Sequence, residues 1–287
     1  MYFENIKGQE FAKKYMINSI NKGKINHAYM FEGIEGIGKE TFAYDLAKIL
    51  LETPHLENAP DCIRVKLEGN SIKIAQIRNL QSDIVIKPHK KYKIYIIDKA
   101  EKMTLEAQNA LLKTLEEPPE YATIILICNN EAQMLTTIKS RCTKINFQKL
   151  NENEIKQYFQ EIQNEEISNR ILKLAEGSIG KAIQIKDKEE LYKEVENIIN
   201  KIEEIKKSQI WNFSEAIYKN VDDISEILDY MNIMFFEKGK IKPQYLNCIG
   251  LVENAKRRLK ANSNYNMTID NLLLQIWEEI NEKYSRG

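Results

Sequence analysis

A glycine-rich segment followed by a lysine is the first part of the chain with the residues for chemistry. Gly33, Gly36, Gly38 and Lys39 have the G-x-x-x-x-G-K spacing, and they lie between an apolar run at residues 27–31 and a helical pattern. Glycines let backbone amides face an anion, the helix start adds the positive end of its dipole, and the lysine can reach outer phosphates. Strand, turn and helix in this order predict a phosphate-binding loop rather than a chance glycine turn before a lysine.

The residue after the lysine departs from that pattern. A Ser or Thr hydroxyl normally binds the magnesium ion here, and this chain has Glu40. Thr41 follows, but one helical step turns a side chain by about 100°, so Thr41 does not simply replace the missing ligand. A carboxylate at position 40 also repels phosphate charges unless a cation intervenes. We therefore expect nucleotide affinity to be weakened or lost.

A second acidic position follows the apolar run 94–97. Asp98 ends that run, where P-loop enzymes place a magnesium-binding aspartate. Hydrolysis also needs an acceptor that orients the attacking water, and the next residue is Lys99, whose ammonium, with an ordinary pKa near ~10.4, is no base at neutral pH. Glu101 is expected to project in a different direction. The sequence thus predicts a site that does not hydrolyse nucleotide by itself.

The first half of the chain alternates strand and helix patterns, as in a parallel sheet covered on both faces. Strands are predicted at 27–31, 63–67, 93–97, 123–128 and 143–147, and helices at 9–21, 39–51, 72–85 and 105–116. The last helix has the clearest ends, because Thr104 can cap its start and Pro118-Pro119 cannot continue it.

After Phe147 the β-branched runs stop and helical patterns follow. Residues 151–154 resemble a capped helix start, with the helix ending before a turn at 176–178 and a short helix opening near Gly180. Further on, Leu272, Leu273, Ile276 and Ile280 recur at helical spacing. We predict a core at 1–148, a small three-helix unit at 149–187 and a helical bundle at 188–287.

Composition limits the classes of function. The 287 residues contain 42 basic and 42 acidic side chains, so no net field draws the chain to DNA or an anionic membrane. No apolar h-region and no membrane-length apolar stretch is present, which predicts a cytoplasmic protein. The four cysteines include no C-x-x-C pair, which favours reduced thiols and no metal. Two basic runs (Lys87, His89, Lys90, Lys91 and Lys93; Lys256, Arg257, Arg258 and Lys260) are interpreted as solvated faces, with DNA-backbone contact as the alternative.

Residues 98–142 resemble the clamp-loader subunits of bacterial DNA polymerase III, which are AAA+ proteins. Residues 108–119 are similar to the helix after the acidic strand in that family, and Ser140-Arg141-Cys142 matches its S-R-C motif. Asn129 or Asn130 occupies the position of its sensor 1 residue. The resemblance covers about the first 150 residues and implies an AAA+ P-loop core with a parallel sheet, a helical lid and an all-α collar for oligomerisation.

Within that family, Glu40 and Lys99 resemble the non-hydrolysing delta-prime type rather than the ATP-hydrolysing gamma or tau type. The resemblance implies gamma or tau and delta subunits, the beta sliding clamp and primed DNA as partners, with no membrane contact. It implies that Arg141 acts as an arginine finger on a neighbour's nucleotide, with an ion pair inside its own chain as the alternative. Lys181 lies where hydrolysing relatives have the sensor 2 arginine.

The family's four-cysteine zinc module has no counterpart in the short segment 52–61, so no metal is expected. No cofactor is required, and passive ATP or ADP binding at Gly33, Gly36, Gly38, Lys39, Glu40, Thr41, Asp98 and Asn129 stays open. The rival hypotheses are a working AAA+ ATPase, either a gamma or tau type motor or a helicase-like protein, and a scaffold outside replication.

Overall fold

The structure, a computed structural model, describes residues 2–281 and divides into two compact units. The first comprises Met1–Gln184 and the second Ile185–Gly287. The last six residues of the predicted 188–287 region lie outside the described part. The further division of the first unit near residue 148 stays a prediction.

The first unit contains the predicted alternation of strands and helices. In chain order its elements are α1 (Glu10–Asn21), β1 (Ala28–Glu32), α2 (Lys39–Leu50), β2 (Cys62–Val65), α3 (Ile74–Ile84), β3 (Lys93–Ile97), α4 (Leu105–Glu116), β4 (Ala122–Cys128), α5 (Thr136–Lys139) and β5 (Thr143–Asn146). All five strands and the four helices predicted from the sequence are present, with ends that differ by at most two residues.

The five strands form one parallel sheet in the order β2-β3-β4-β1-β5. Every residue of β3 and β4 is buried, as expected for central parallel strands with helices on both faces. Parallel strands all end at the same edge of the sheet. The segments that follow β1, β3 and β4 therefore meet there, and this edge positions the candidate site.

Two apolar clusters cover the two faces of the sheet. On one face Phe42 of α2 stacks on Phe3 with ring centroids 4.2 Å apart and meets Phe31 edge-on. On the other face Leu111 of α4 is fully buried beneath the same sheet. Burying a large apolar side chain contributes roughly 1.5 to 3 kcal/mol, so these two helices are anchored mainly by their inner faces.

The predicted cap of α4 is confirmed. The Thr104 hydroxyl accepts a hydrogen bond from the amide of Ala107 at 3.3 Å, and the helix ends at Glu116, just before Pro118. An N-cap threonine satisfies one of the amides that a helix start leaves unpaired.

Three helices, α6 (Glu152–Tyr158), α7 (Asn169–Ala175) and α8 (Ile179–Asp187), follow β5. The capping box at the start of α6 is confirmed, because the side chains of Asn151 and Glu154 each accept a hydrogen bond from the backbone amide of the other residue. The expectation of one continuous helix up to the turn at 176–178 is wrong. A wider turn at Phe159–Gln163 ends at Asn164 in a left-handed conformation, and Ser168 caps a new helix. Asparagine tolerates that conformation better than most residues, so it ends the helix here.

The second unit is helical throughout its described part, as predicted. Its helices are α9 (Glu189–Lys201), α10 (Trp211–Tyr218), α11 (Ile224–Gly239), α12 (Gln244–Lys260) and α13 (Tyr265–Asn281). The predicted stripe of Leu272, Leu273, Ile276 and Ile280 is buried. Among residues 2–281, no helix has the length and apolar character needed to cross a bilayer.

Candidate nucleotide-binding site

The predicted phosphate-binding loop lies at the carboxyl edge of the sheet and opens α2. Gly36 and Gly38 have φ angles of 76° and 93°, in the left-handed region that side chains other than glycine rarely adopt. A cavity of about 480 Å³ lies against the loop. Its lining includes most of the predicted nucleotide-site residues, namely Gly36, Gly38, Lys39, Glu40, Thr41, Asp98 and Asn129, which the chain separates by up to 93 positions.

Lys39 is bound by its own loop. Its ammonium donates to the carbonyl oxygens of Gly33 and Ile34 at 2.6 and 2.7 Å and to Oδ1 of Asn129 at 2.8 Å. The side chain is almost fully buried, and this burial lowers the pKa of Lys39, while the charge of Glu101 acts in the opposite direction. A phosphate would have to displace these three hydrogen bonds before it could use the lysine.

Glu40 occupies the position at which the magnesium ligand is expected. Tyr44, one helical turn further along α2, donates its hydroxyl to the Glu40 carboxylate, and the Arg64 guanidinium lies 5.6 Å from the Tyr44 ring centre. Burial and the bond to Glu40 raise the pKa of Tyr44 to about 12. Burial and the nearby charge of Glu40 raise the pKa of Asp98. The carboxyl groups of Glu40 and Asp98 therefore repel each other. Negative phosphates placed between them would be repelled as well.

Lys99 forms an ion pair with the phosphate-binding loop, and both partners line the cavity. Its ammonium lies 2.8 Å from Oε1 of Glu35, which belongs to the phosphate-binding loop. The hydrogen bond that Lys99 donates to Glu35 raises the pKa of Lys99, so this side chain stays protonated at neutral pH. A protonated amine donates hydrogen bonds and cannot accept one from water.

This set of donors does not fit a magnesium-bound triphosphate. The position after Lys39 has a carboxylate bound to a tyrosine instead of a free hydroxyl, and the position after Asp98 has an ammonium bound to the loop. The lysine ammonium is already saturated by protein oxygens. These groups differ from the hydroxyl ligand and the water-orienting acceptor that P-loop hydrolysis uses.

Glu101 is buried and does not line the cavity. Its side chain is 7% exposed, and Oε2 has no hydrogen-bond partner. Its charge acts on Lys39, on Asp98 and, together with burial, on the Cys128 thiol, whose pKa rises to about 12. The negative charge of Glu101 thus partly offsets the effect of burial on Lys39. Glu101 belongs to the short 3₁₀ turn Ala100–Lys102, which local spacing alone did not reveal.

The opposite walls of the cavity come from segments that were not predicted as parts of the site. Asn5, Ile6 and Lys7 approach from the amino-terminal segment, and the Lys7 ammonium pairs with Glu161. Apolar side chains of the three-helix region complete the wall, namely Ile162, Ile179 and Ile183. These residues carry no motif, and only the fold brings them to the loop.

The turn at residues 177–180 contacts the phosphate-binding loop directly. The Ser178 hydroxyl donates to the carbonyl of Glu35 at 2.8 Å, and the Gly180 amide donates to the carbonyl of Gly36 at 2.8 Å. Lys181, at the expected sensor 2 position, instead lies 3.1 Å from Oε2 of Glu176.

Arg141 lies outside the lining of this cavity. Its Nη2 is 2.6 Å from Oε1 of Glu116, and its Nη1 donates to the carbonyl of Thr137 at 2.9 Å. The intrachain ion pair considered as an alternative is therefore present. A role toward a second subunit stays a prediction.

The first basic run is not one solvated face, because Lys93 is only 3% exposed. Its ammonium lies 2.9 Å from Oδ2 of Asp83 and donates to two backbone carbonyls. As the first residue of β3, Lys93 points inward with its strand, so that part of the prediction is wrong. In the second run Lys256 is also engaged, 2.6 Å from Asp229 and 2.7 Å from Glu253.

The strand order, the glycine loop before α2 and the following helical unit define an AAA+ type P-loop protein. A DNA polymerase III gamma subunit-related protein from Thermotoga maritima has the same fold, with a TM-score of 0.61 at 19% identity, over 95% of this chain and 99% of that one. The AAA+ core with a helical carboxyl-terminal region is thereby confirmed.

Sequence comparison identifies the family. Residues 8–151, half of the chain, match the profile of the family described as DNA polymerase III, delta subunit, and the chain belongs to that family. It is 39% identical over 160 residues to DNA polymerase III subunit delta' of Bacillus subtilis, which covers 50% of this chain and 48% of the relative. It is 32% identical over 208 residues to subunit tau of Escherichia coli K12, which covers 64% of this chain and 32% of the relative. The matched regions span about a third to a half of these curated relatives.

Proposed function

We propose that this chain is a delta-prime type subunit of the DNA polymerase III clamp loader that does not hydrolyse ATP. Its task is to help place the beta sliding clamp on primed DNA, in a complex with gamma or tau and delta subunits. The observation that carries the proposal is the pair of altered positions in one cavity. Glu40 occupies the sequence position of the magnesium ligand, and its carboxylate accepts a hydrogen bond from Tyr44. Lys99 occupies the position of the residue that orients water, and its ammonium is paired with Glu35.

Each substitution alone would impair hydrolysis. Without a hydroxyl ligand the cation loses one of its protein anchors, and without an acceptor the attacking water is not oriented. Because the two changes affect different roles, restoring one does not restore the other. The similarity to a delta' subunit supports this assignment. The similarity to tau and gamma subunits supports the rival hypothesis of a working ATPase.

The same proposal assigns Arg141 to a nucleotide held by a neighbouring subunit. A guanidinium can grip phosphate oxygens bidentately and stabilise the charge that develops during transfer. Arg141 is outside its own chain's cavity, its side chain is about one third exposed, and its bond to Glu116 is a surface ion pair. Such pairs contribute only about 0 to 1 kcal/mol, so a phosphate can displace this one.

Reconstitution of the clamp loader with gamma or tau and delta subunits tests both parts. With the wild-type chain, the complex is expected to hydrolyse ATP in response to primed DNA and clamp. With Arg141→Ala, the ATPase rate at the subunit junction that contains this residue should fall about 10³-fold or more. The total ATPase rate of the complex should then fall by the fraction that this junction contributes. Unchanged turnover of a complex that contains the variant would refute the finger role.

The rival is a working gamma or tau type ATPase. Lys39, Asp98 and Asn129 do meet in one cavity, which is the observation in its favour. The rival predicts that the purified chain binds magnesium-ATP and releases phosphate at a rate that falls when Lys39 is replaced by Ala. A scaffold outside replication predicts instead that the chain does not assemble with the clamp-loader subunits.

A further inference from the structure

The carboxyl-terminal end of α12 and the turn after it form a local surface of positive charge. Residues 254–269 contain two arginines and two lysines and no aspartate or glutamate, in a chain with equal numbers of basic and acidic side chains. Three of these cations, Arg257, Arg258 and Lys260, are exposed, and we call them the α12 basic cluster. Charges therefore balance over the whole chain but not at this place, which can attract an anion at short range.

The fourth cation of the segment, Lys256, is used inside the helical bundle. Its ammonium lies 2.6 Å from Asp229 of α11 and 2.7 Å from Glu253, and its side chain is 16% exposed. The side chains of the α12 basic cluster form no ion pair with any residue between 2 and 281. One lysine thus braces two helices, and the other three cations remain available to a partner.

A shallow cleft between α12 and α13 continues the α12 basic cluster. Its lining includes Arg258 together with the amide side chains of Asn254, Asn271 and Gln275. Arginine, asparagine and glutamine are side chains that contact the phosphate oxygens of nucleic acids, and a guanidinium can bind two such oxygens at once. The cleft and the cluster therefore combine the donors that a phosphodiester backbone uses.

The place of the α12 basic cluster in the last turn of its helix also has a structural explanation. Cations there complement the negative end of the helix dipole and stabilise the helix. That effect requires positive charge near the helix end, but it requires neither an arginine beside a cleft of amides nor a following turn without acidic residues. The dipole accounts for the position of the cluster and not for the composition of the surface around it.

The partner that fits this surface is duplex DNA. A duplex carries one negative charge per about 1.7 Å of its axis, twice the density of one strand. Residues 257 and 260 are separated along α12 by a rise of about 4.5 Å, so the three cations are similarly dense. Single strands are bound largely through exposed aromatic faces. The aromatic side chain of this segment, Tyr265, instead donates its hydroxyl to the Ile217 carbonyl and contacts the Tyr218 ring.

We propose that the α12 basic cluster and the adjoining cleft bind the phosphate backbone of duplex DNA without reading its sequence. This inference rests on the proposed function, in which the subunit works on primed DNA, and adds a direct DNA contact in the second unit. The contact is electrostatic and needs neither nucleotide nor hydrolysis.

Fluorescence anisotropy of a labelled duplex of mixed sequence, titrated with the purified full chain, tests the site. The logarithm of the binding constant should fall against the logarithm of salt concentration with a slope near about −2.7 between about 50 and 200 mM, because three cations displace counterions. A variant that combines Arg257→Gln, Arg258→Gln and Lys260→Gln should bind at least about tenfold more weakly at the lowest salt.

The matched control combines Lys14→Gln, Lys22→Gln and Lys24→Gln, because these exposed lysines of the first unit remove the same net charge. The control should bind the duplex as wild type does. Equal losses in the two triple variants would assign binding to net charge and overturn the proposal. Failure of the wild-type chain to bind duplex at about 50 mM salt, tighter binding of a single strand, or binding of polyglutamate in place of duplex would also overturn it.

Arg258→Gln alone keeps the test decisive if the triple variant does not fold. This single change should reduce the size of the salt slope by about 0.9, and an unchanged slope contradicts the proposal. Assembly with gamma or tau and delta subunits is measured on the same samples. A wild-type chain that assembles but does not bind duplex would refute the DNA site alone. A chain that binds duplex through the α12 basic cluster but does not assemble would refute the proposed function alone.

Discussion

The ammonium of Lys99 lies 2.8 Å from the carboxylate of Glu35, so the residue after the acidic strand is bonded to the phosphate-binding loop of its own chain. The two charges offset each other, and both residues line the cavity. Position 99 therefore has a hydrogen-bond donor that is paired with the loop.

Glu40→Thr is expected to raise nucleotide affinity. The change removes a carboxylate from the phosphate side of the cavity and returns a hydroxyl to the magnesium position. Removing a negative charge that lies a few ångströms from a phosphate should strengthen nucleotide binding by roughly 1 to 4 kcal/mol. Titration with magnesium-ATP should show at least about fivefold tighter binding than wild type.

Glu57→Thr is the control for that variant, because Glu57 is exposed and does not line the cavity. Hydrolysis should not appear in Glu40→Thr, since Lys99 still replaces the acceptor. Affinity that is equal in Glu40→Thr and wild type would show that the Glu40 carboxylate does not limit binding.

Glu116→Gln separates the two roles considered for Arg141. The ion pair is partly exposed, so its loss should change the free energy of unfolding by less than about 1 kcal/mol. A finger acting on a neighbour does not need Glu116, and the reconstituted complex should keep its ATPase rate. If Glu116→Gln lowered that rate as much as Arg141→Ala, Arg141 would act through its own chain.

Asp83 makes stability depend on pH at the acidic end. Although burial opposes it, hydrogen bonds from Tyr95 and Lys93 lower the pKa of Asp83 below its ordinary 3.8. Because its pKa is lower in the folded state, ionised Asp83 contributes its full stabilisation above about pH 4. This stabilisation is lost as the pH falls through the pKa of Asp83 in the folded protein. Asp83→Asn should cost roughly 1 to 2 kcal/mol at pH 7, since the carboxylate is partly exposed and screened.

Urea unfolding between pH 7 and pH 3 measures this. The stability difference between wild type and Asp83→Asn should shrink as the pH falls below 4, whereas exposed Asp222→Asn should track wild type throughout. A difference that stays constant down to pH 3 would mean that Asp83 is not stabilised as an anion.

Thr104→Ala tests the cap of α4, the helix that carries the family's most recognisable segment. Loss of the bond to the Ala107 amide should lower the free energy of unfolding by about 1 kcal/mol. Thr104→Ser, which keeps the hydroxyl, should retain most of the stability in a thermal or urea denaturation. Equal losses in the two variants would assign the effect to packing of the methyl group instead.

Local signals in the sequence predicted the sheet and the helices of the core. Thr104 and Asn151 each cap the amide three residues further along, and a fully apolar run such as 94–97 indicates a strand that is buried on both faces. The meeting of Lys39, Asp98 and Asn129 also followed from local patterns. Asp98 and Asn129 come directly after β3 and β4, and Lys39 comes after the glycine loop that follows β1, and these strands end at the same edge of the sheet.

Contacts between distant residues were not predictable from one sequence. Ser178 and Glu35 are 143 positions apart, and no spacing rule connects them. Lys93 was misjudged because its burial depends on how strand β3 packs against neighbouring elements. Charged residues are usually exposed, so composition argued for the wrong environment at Lys93.

Phosphate release by the purified chain, measured with magnesium-ATP in the presence and absence of primed DNA, tests the central claim most directly. We expect a rate equal to that of Lys39→Ala under both conditions, because the cation ligand and the water-orienting acceptor are both replaced. Steady release by the wild-type chain that disappears in Lys39→Ala would contradict it.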